Sequence, residues 1–363
     1  MPQTKPAAPR RSGPVSPPEA IAPRDAGTVL RAYDTGNLLF TRPGGAGTAN
    51  SALIAVTARG QYFLKRRNPR YCDPAQLSFD HGVMRHLARE GLPVVPAMRT
   101  RSGSRWLEFD GQIYELYPLV AGEPHQPGNA AQVRAAGALL GKFHQATAEL
   151  EPDGRKRVGR LHDPAASLAG LNWAREHLLE EDTPHAGDTI GELSRAARRV
   201  SERLPDALWR QLPACIVHGD FHPANLKYKG DQVCGLFDFD WVARAPRAVD
   251  VADGIIFFCA HREAPMTPGD IVSLTQAFRL DTELIATFGA GYGETLQLCS
   301  EELRALPDLL RARWLFCRVD AMQRKVPGKW KLEFLLNRVL EPLAEIDAVA
   351  NYLTGGGWLG SSS

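Results

Sequence analysis

Up to about residue 122 the chain is cut into short β-type runs, and beyond it into long amphipathic helical stretches, with one β-rich island at 214–239. That order constrains the fold more than any other feature. Residues 52–57 and 61–65 are apolar or β-branched runs parted by Ala58-Arg59-Gly60, a break of turn length, and form a predicted hairpin. Residues 105–109 and 112–120 meet at Asp110-Gly111, a dipeptide suited to a tight hairpin because it tolerates positive φ. Between the hairpins, 75–90 reads as a helix stopped by Gly91 and Pro93. After Gly122-Glu123-Pro124, helices are predicted over about 130–147, 164–181 and 187–203 and over most of the chain past 268. Strands first and helices later predict an α+β protein of two lobes, with ligands in the cleft between them.

Composition narrows the partners. Forty-three Lys and Arg against 41 Asp and Glu leave a formal charge of +2, too weak a field for nucleic acid as the main partner. The six cysteines form no C-x-x-C pair, which excludes a thiolate zinc pattern and a disulfide framework and fits a reducing cytoplasm. No apolar run reaches transmembrane or signal-peptide length, so neither a membrane nor secretion is expected. Residues 1–22, rich in Pro, Ala, Arg and Ser, read as a disordered leader, and the Gly- and Ser-rich 353–363 as a flexible tail.

Chemistry concentrates in the island. An apolar lead-in, Cys215-Ile216-Val217, runs into the polar loop His218-Gly219-Asp220-Phe221-His222-Pro223-Ala224-Asn225. After a turn at Lys229-Gly230-Asp231, a second apolar stretch delivers Asp238-Phe239-Asp240. Such a ribbon brings Asp220, Asn225 and Asp238 towards one end. Two carboxylates and an amide oxygen are hard ligands suited to Mg²⁺, which retains waters and takes substrate phosphates as further ligands.

An Asp, four residues, an Asn and then an Asp behind a short hairpin resemble the catalytic loop and metal-binding Asp of protein kinases. His218-Gly219-Asp220 is similar to the small-molecule branch: aminoglycoside phosphotransferases, choline and ethanolamine kinases, methylthioribose kinase and type II homoserine kinases. Lys65 at the end of its strand, Leu139-Leu140-Gly141-Lys142-Phe143-His144, and Arg247-Ala248-Val249-Asp250 extend the likeness over about 28–350. The resemblance implies a two-lobed, protein-kinase-like fold. A nucleotide-covering N-lobe with a small antiparallel sheet occupies 23–121, and a larger, mostly helical C-lobe with the catalytic loop and acceptor site occupies 122–352.

It also implies ATP, with GTP an open alternative, Mg²⁺, and a small-molecule hydroxyl as acceptor. Phosphoryl transfer needs little covalent work from the protein but needs in-line positioning and charge neutralisation. Asp220 is then the catalytic base; Asn225 and Asp238 hold the metal, with Asp240 assisting a second ion. Lys65 contacts the α- and β-phosphates. Gly44, Gly45 and Gly47 cover the phosphates, though their spacing departs from G-x-G-x-x-G. The backbone of 115–119, including Glu115, Tyr117 and Leu119, faces the adenine. Asp80 is the acid best placed to pair with Lys65, one methylene shorter than the usual Glu.

Plainer roles are expected elsewhere. His218 reads as a buried histidine supporting the loop, His144 as packing, Asp250 and Asp253 as caps of a helix at 251–258, and Phe257, Phe258, Trp314, Phe316 and Trp330 as core. Lys65-Arg66-Arg67 is too short for a nucleic-acid patch. Arg311, Arg313, Arg318 and Arg324 could meet an acceptor carboxylate or form a solvated helix face; the resemblance of Gly91–Pro96, Phe237–Asp240 and the helical end to the homoserine-kinase side of the family implies an amino acid such as homoserine, an amino alcohol or a sugar. An aminoglycoside O-phosphotransferase and a non-catalytic kinase-like binding protein remain open readings. So does a metallophosphatase using Asp220 and His222, although the chain lacks that class's further motifs.

Overall fold

In the first lobe the chain lays down α1 (Pro23–Leu30), β1 (Leu38–Pro43), β2 (Ser51–Thr57), β3 (Gly60–Arg66), α2 (Pro74–Arg89), β4 (Leu107–Phe109) and β5 (Gln112–Pro118). The computed structural model describes residues 20–44, 50–156, 158–179, 184–267 and 269–360. The strands make one antiparallel sheet in the order β1-β2-β3-β5-β4. Both predicted hairpins form, and Asp110 and Gly111 take φ of +52° and +64°, as a tight turn between twisted strands requires. β1 had no counterpart in the sequence reading. Its Leu39 and Phe40 are 63% and 57% exposed, so the run lacks the in-out alternation by which strands are recognised.

The second lobe follows as α3 (Ala130–Thr147), α4 (Pro164–Leu178), α5 (Pro184–Arg203), α6 (Asp206–Gln211), β6 (Ala214–Val217), β7 (Leu226–Lys229), β8 (Gln232–Leu236) and β9 (Ala243–Pro246). It continues with α7 (Ala248–Phe258), β10 (Ala260–His261), α8 (Ile271–Leu274), β11 (Arg279–Leu280), α9 (Thr282–Gly293), α10 (Ser300–Arg324), α11 (Lys331–Leu336) and α12 (Glu341–Gly355). The bounds of α3 match expectation because its start is chemically marked: the Asn129 side chain accepts from Ala131 N and Gln132 N, satisfying two of the helix's orphan donors. Among the described residues no helix is long and apolar enough to cross a membrane.

Two cores result. Tyr33, Leu53, Leu64, Tyr114 and Leu116 join α1 to the sheet. Phe79, Val83, Met84 and Leu87 of α2 instead enter the large core of the second lobe. Each such side chain contributes about 1.5–3 kcal/mol on burial, so α2, although it lies within the expected 23–121 unit, is also anchored to the helical lobe.

The chain ends need correction. Of the expected leader only 20–22 are described, and there Ile21 is already buried in the sheet's core, ahead of α1. The expected flexible tail is packed as far as it is described: Trp358 and Leu359 are 2% and 3% exposed, and Trp358 Nε1 donates to Leu353 O at 2.9 Å. Two large apolar side chains in a Gly-rich stretch are enough to dock it.

Candidate active site

β6 and β9 form a two-stranded antiparallel ladder, and β7 and β8 form a hairpin; the loop after β6 and the end of β8 therefore emerge side by side. The loop is held by buried acids of α7. Asp250 accepts from His218 N at 2.6 Å and Gly219 N at 2.8 Å, while Asp253 accepts from Phe221 N at 3.2 Å. His144 Nε2 meets the same Asp250 carboxylate at 3.1 Å, so it supports the loop beyond mere packing. His218 Nε2 donates to Phe237 O at 2.9 Å, tying the loop to the end of β8 in the supporting role its sequence suggested. Gly219 has φ +75°, and a Cβ there would lie 2.5 Å from Trp241 O, so only glycine fits.

Asn225 and Asp238 are brought together. Phe237 N donates to Asn225 O at 2.9 Å, and Asn225 Nδ2 donates to Asp220 O at 2.9 Å, which turns the amide oxygen away from the loop backbone. Asp238 adopts φ +60°, ψ 75°, a left-handed conformation that costs a non-glycine residue energy and that clusters at functional sites. An amide oxygen and a carboxylate that is 39% exposed fit a hard divalent cation completed by water and phosphate. Among the described residues no group of three or more His, Cys, Asp or Glu that could hold a metal ion is found.

Lys65, on β3, crosses to this point. Its Nζ lies 3.1 Å from Asp238 Oδ1 and 2.8 Å from Asp240 Oδ1. Burial alone would pull the ammonium pKa down, but Asp238 and Asp240 outweigh it and keep the group charged. The expected Lys65–Asp80 pair does not form. Asp80 pairs with Arg67 Nη2 at 2.7 Å and Lys156 Nζ at 2.8 Å.

Arg67 organises the rest. Besides Asp80 it meets Glu115 Oε1 at 2.9 Å and Asp240 Oδ1 at 2.9 Å, and Lys156 donates to Asp240 O at 2.6 Å. The second-metal role expected of Asp240 fails on this geometry. Its carboxylate is 4% exposed, Oδ1 is taken by Lys65 and Arg67, and Oδ2 accepts from Asn50 at 2.7 Å. Burial works against that carboxylate, yet Arg67 and Lys65 hold its pKa at about 2.

The adenine-facing expectation also changes. Glu115 is buried with its oxygens on Arg67, His81 and Tyr117, and Tyr117 is the phenol donating to it. Leu119 N is taken by Gln61 O at 3.1 Å and Leu116 O by Met98 N at 2.7 Å, so this backbone completes the sheet. Gly44 packs where a Cβ would come within 2.8 Å of the Leu53 backbone, a close-approach role in the β1–β2 pairing. Gly45 and Gly47 lie outside the described residues.

Arg67, Lys156 and Asn50 were not singled out from sequence. Arg67 was legible, since residues two apart on a strand share a face and Lys65 was already placed. Lys156 reaches Asp240 from the segment after α3 and carries no local signature.

Asp220 opens onto a cavity of about 130 Å³ between the loop after β3, the catalytic-type loop and α10. Phe257 and Phe316, expected as plain core, line it. Arg313 Nη2 lies 2.8 Å from Asp220 Oδ1, and His222 Nε2 3.3 Å from Oδ2. Burial would push the Asp220 carboxyl up, but His222 and Arg313 prevail and hold it well below the usual range. Of the other cations considered, Arg324 lines the cavity, Arg311 pairs with Asp308 and Asp347, and Arg318 donates to Thr275 O and Asn337 O. Trp330, expected in the core, is 50% exposed.

Comparison with known proteins agrees with this geometry. A model of the phosphotransferase enzyme family matches residues 41–306. A homoserine kinase of Beijerinckia indica subsp. indica is 28% identical over 294 residues, covering 80% of this chain and 82% of its own. An aminoglycoside phosphotransferase structure from Alicyclobacillus acidocaldarius superposes with a TM-score of 0.66 at 18% identity, covering 92% of this chain and 96% of its own. A microcompartment-associated aminopropanol kinase superposes with a TM-score of 0.64 at 17% identity, covering 92% and 98%. At these identities the two structures establish the two-lobed α+β fold.

Proposed function

The chain belongs to the phosphotransferase enzyme family and is a small-molecule kinase, and we propose that it moves the γ-phosphoryl group of ATP to the side-chain hydroxyl of an amino acid, with homoserine as the acceptor. One observation carries this reading: Lys65 Nζ meets Asp238, the adjoining Phe237 N donates to Asn225 O, and Asn225 Nδ2 donates to the Asp220 carbonyl, with Asp220 lining the cavity. In phosphoryl transfer the acceptor oxygen bonds to phosphorus as the bond from phosphorus to the β–γ bridging oxygen breaks, and the hydroxyl proton leaves.

Asp220 receives that proton. A carboxylate held so acidic is a weak base, so transfer comes late, when the hydroxyl has been acidified by bonding to phosphorus. Lys65 provides a fixed positive charge for the phosphates, poised between Asp238 and Asp240 until they arrive. Asn225 Oδ1 and Asp238 would hold Mg²⁺, which when bound neutralises phosphate charge and aligns the β- and γ-phosphates. Arg313 fixes Asp220, and Asp250 fixes the loop bearing it.

The family relative is named for homoserine, and the cavity's charges fit a carboxylate-bearing acceptor. A polycationic aminoglycoside would meet Arg70, Arg313, Arg324 and Lys325 there, which disfavours the antibiotic-resistance reading. The experiment is incubation with γ-labelled ATP, Mg²⁺ and a panel of homoserine, other hydroxy amino acids, amino alcohols, sugars and aminoglycosides. Labelled O-phosphohomoserine is the expected product. Label on an aminoglycoside, or ATP turnover with none of the panel, contradicts the reading.

A further inference from the structure

Beyond Asp220 the cavity continues along one face of α10. Arg313, Cys317, Asp320 and Arg324 recur at the i, i+4, i+7 and i+11 spacing of a single helical face. Asp320 therefore stands two turns, about 10 Å, from Arg313. Its carboxylate pairs with Arg324 Nε at 2.9 Å.

The facing wall comes from the other lobe. Arg70 and Tyr71 sit on the loop that leaves β3, only five residues after Lys65. Tyr71 packs edge-on against Trp241 at 6.2 Å between ring centroids, and Trp241 against Phe316 of α10 at 6.0 Å, so the loop is fixed against the helix. Burial pushes the Asp320 carboxyl up, against the pull of Arg324, Arg70 and Lys325. Asp320 already shares one ion pair with Arg324, and among the described residues no carboxylate stands at ion-pair distance from the half-buried Arg70 guanidinium. A half-buried guanidinium that faces a polar cavity with no carboxylate at ion-pair distance is suited to receive an anionic group.

We propose that Arg70, with Arg324 beside it, is the specificity-determining contact for the acceptor: the two guanidinium groups receive its carboxylate while Asp320 receives its ammonium, selecting a hydroxylated α-amino acid. The inference rests on the phosphotransfer reading and deepens it, because a residue of the nucleotide-covering lobe then completes the acceptor site. Five residues of one strand and loop separate the phosphate-contacting lysine from the acceptor-contacting arginine.

Three probes separate the charges: L-homoserine, 4-hydroxybutanoate, which lacks the ammonium, and 3-aminopropan-1-ol, which lacks the carboxylate. Each is titrated calorimetrically into the full chain with Mg²⁺ and a non-hydrolysable ATP analogue. Arg70→Ala is expected to weaken homoserine and 4-hydroxybutanoate by about tenfold or more, and 3-aminopropan-1-ol by less than about twofold, the size of losing one charge-assisted contact. Asp320→Asn is expected to weaken homoserine and 3-aminopropan-1-ol and to spare 4-hydroxybutanoate. Equal loss for all three probes in Arg70→Ala, no loss, or failure of the wild type to bind any of them overturns the assignment. The parent reading fails separately: homoserine binding with this pattern but no phosphate ester from labelled ATP would remove the phosphotransfer and leave Arg70 in its role.

Discussion

Arg313 Nη2 lies 2.8 Å from Asp220 Oδ1, joining residues 93 positions apart in the sequence. The guanidinium is itself braced, with Nε 3.0 Å from Asp253 Oδ1 and Nη1 3.1 Å from His162 Nε2. Burial and the neighbouring Arg313 push the His162 pKa well down, so the imidazole stays neutral and accepts the hydrogen bond.

This bracing separates positioning from stability. Arg313→Lys keeps the charge but loses the planar fork, and is expected to lower kcat by about tenfold to a hundredfold, with the KM for ATP changed less than about twofold. Arg313→Met strands Asp253 without a cation in the core and should cost about 3–5 kcal/mol of stability by urea unfolding. Unchanged kcat in the lysine variant would remove Arg313 from the positioning of Asp220.

Lys65, on β3, and Arg67, one residue past its end, both reach Asp240 but do different work. Arg67→Met leaves Asp80 and Glu115 in the interior short of a cation, and is expected to destabilise the protein by about 3–5 kcal/mol. Lys65→Met leaves Arg67 on Asp240 and Asp238 still open to water, so its unfolding should shift by less than half as much while turnover falls by about a hundredfold or more. Equal destabilisation in the two variants would contradict the division of roles.

His125 predicts an acid-sensitive stability. It packs against Tyr228 and Phe258, with ring centroids at 5.6 Å and 5.3 Å, and burial lowers its pKa to about 4. The unfolded chain takes up this proton near pH 6.5 while the folded chain does not, so the contribution is intact above about pH 6.5 and is lost as pH falls towards about 4. The loss from this group is about 3 kcal/mol at most. Urea unfolding at several pH values checks it: His125→Gln should show a shallower decline between about pH 6.5 and about pH 4 than the wild type.

Much of the fold was legible because its signals are local. Asn129 marks the start of α3, Asp110-Gly111 marks its hairpin, and the apolar or β-branched runs at 52–57 and 61–65 mark the sheet. β1 escaped because Leu39 and Phe40 face outward, and the docked end escaped because composition cannot reveal that Trp358 finds a pocket. In the candidate site, Lys65 meets Asp238 and Asn225 meets the Asp220 backbone, placements readable from sequence because Asp220, Asn225 and Asp238 lie around one ribbon. Asp80, Glu115 and Asp240 were misplaced for one reason: Arg67 and Lys156 collect them into a buried ion network, and which cation reaches which acid is decided by packing between distant segments.

If Asp220 works on an acceptor hydroxyl beside phosphates held by Lys65, Asn225 and Asp238, chemistry must depend on its carboxylate and on divalent metal. The most direct measurement is formation of O-phosphohomoserine from γ-labelled ATP by the wild type, by Asp220→Asn, and by the wild type after chelation of divalent metal. The expected result is ester from the wild type, loss of it on chelation with recovery on adding Mg²⁺, and a fall of about a thousandfold or more in Asp220→Asn with binding of a non-hydrolysable ATP analogue retained. Ester formed by Asp220→Asn at the wild-type rate, or by the wild type without divalent metal, would contradict it.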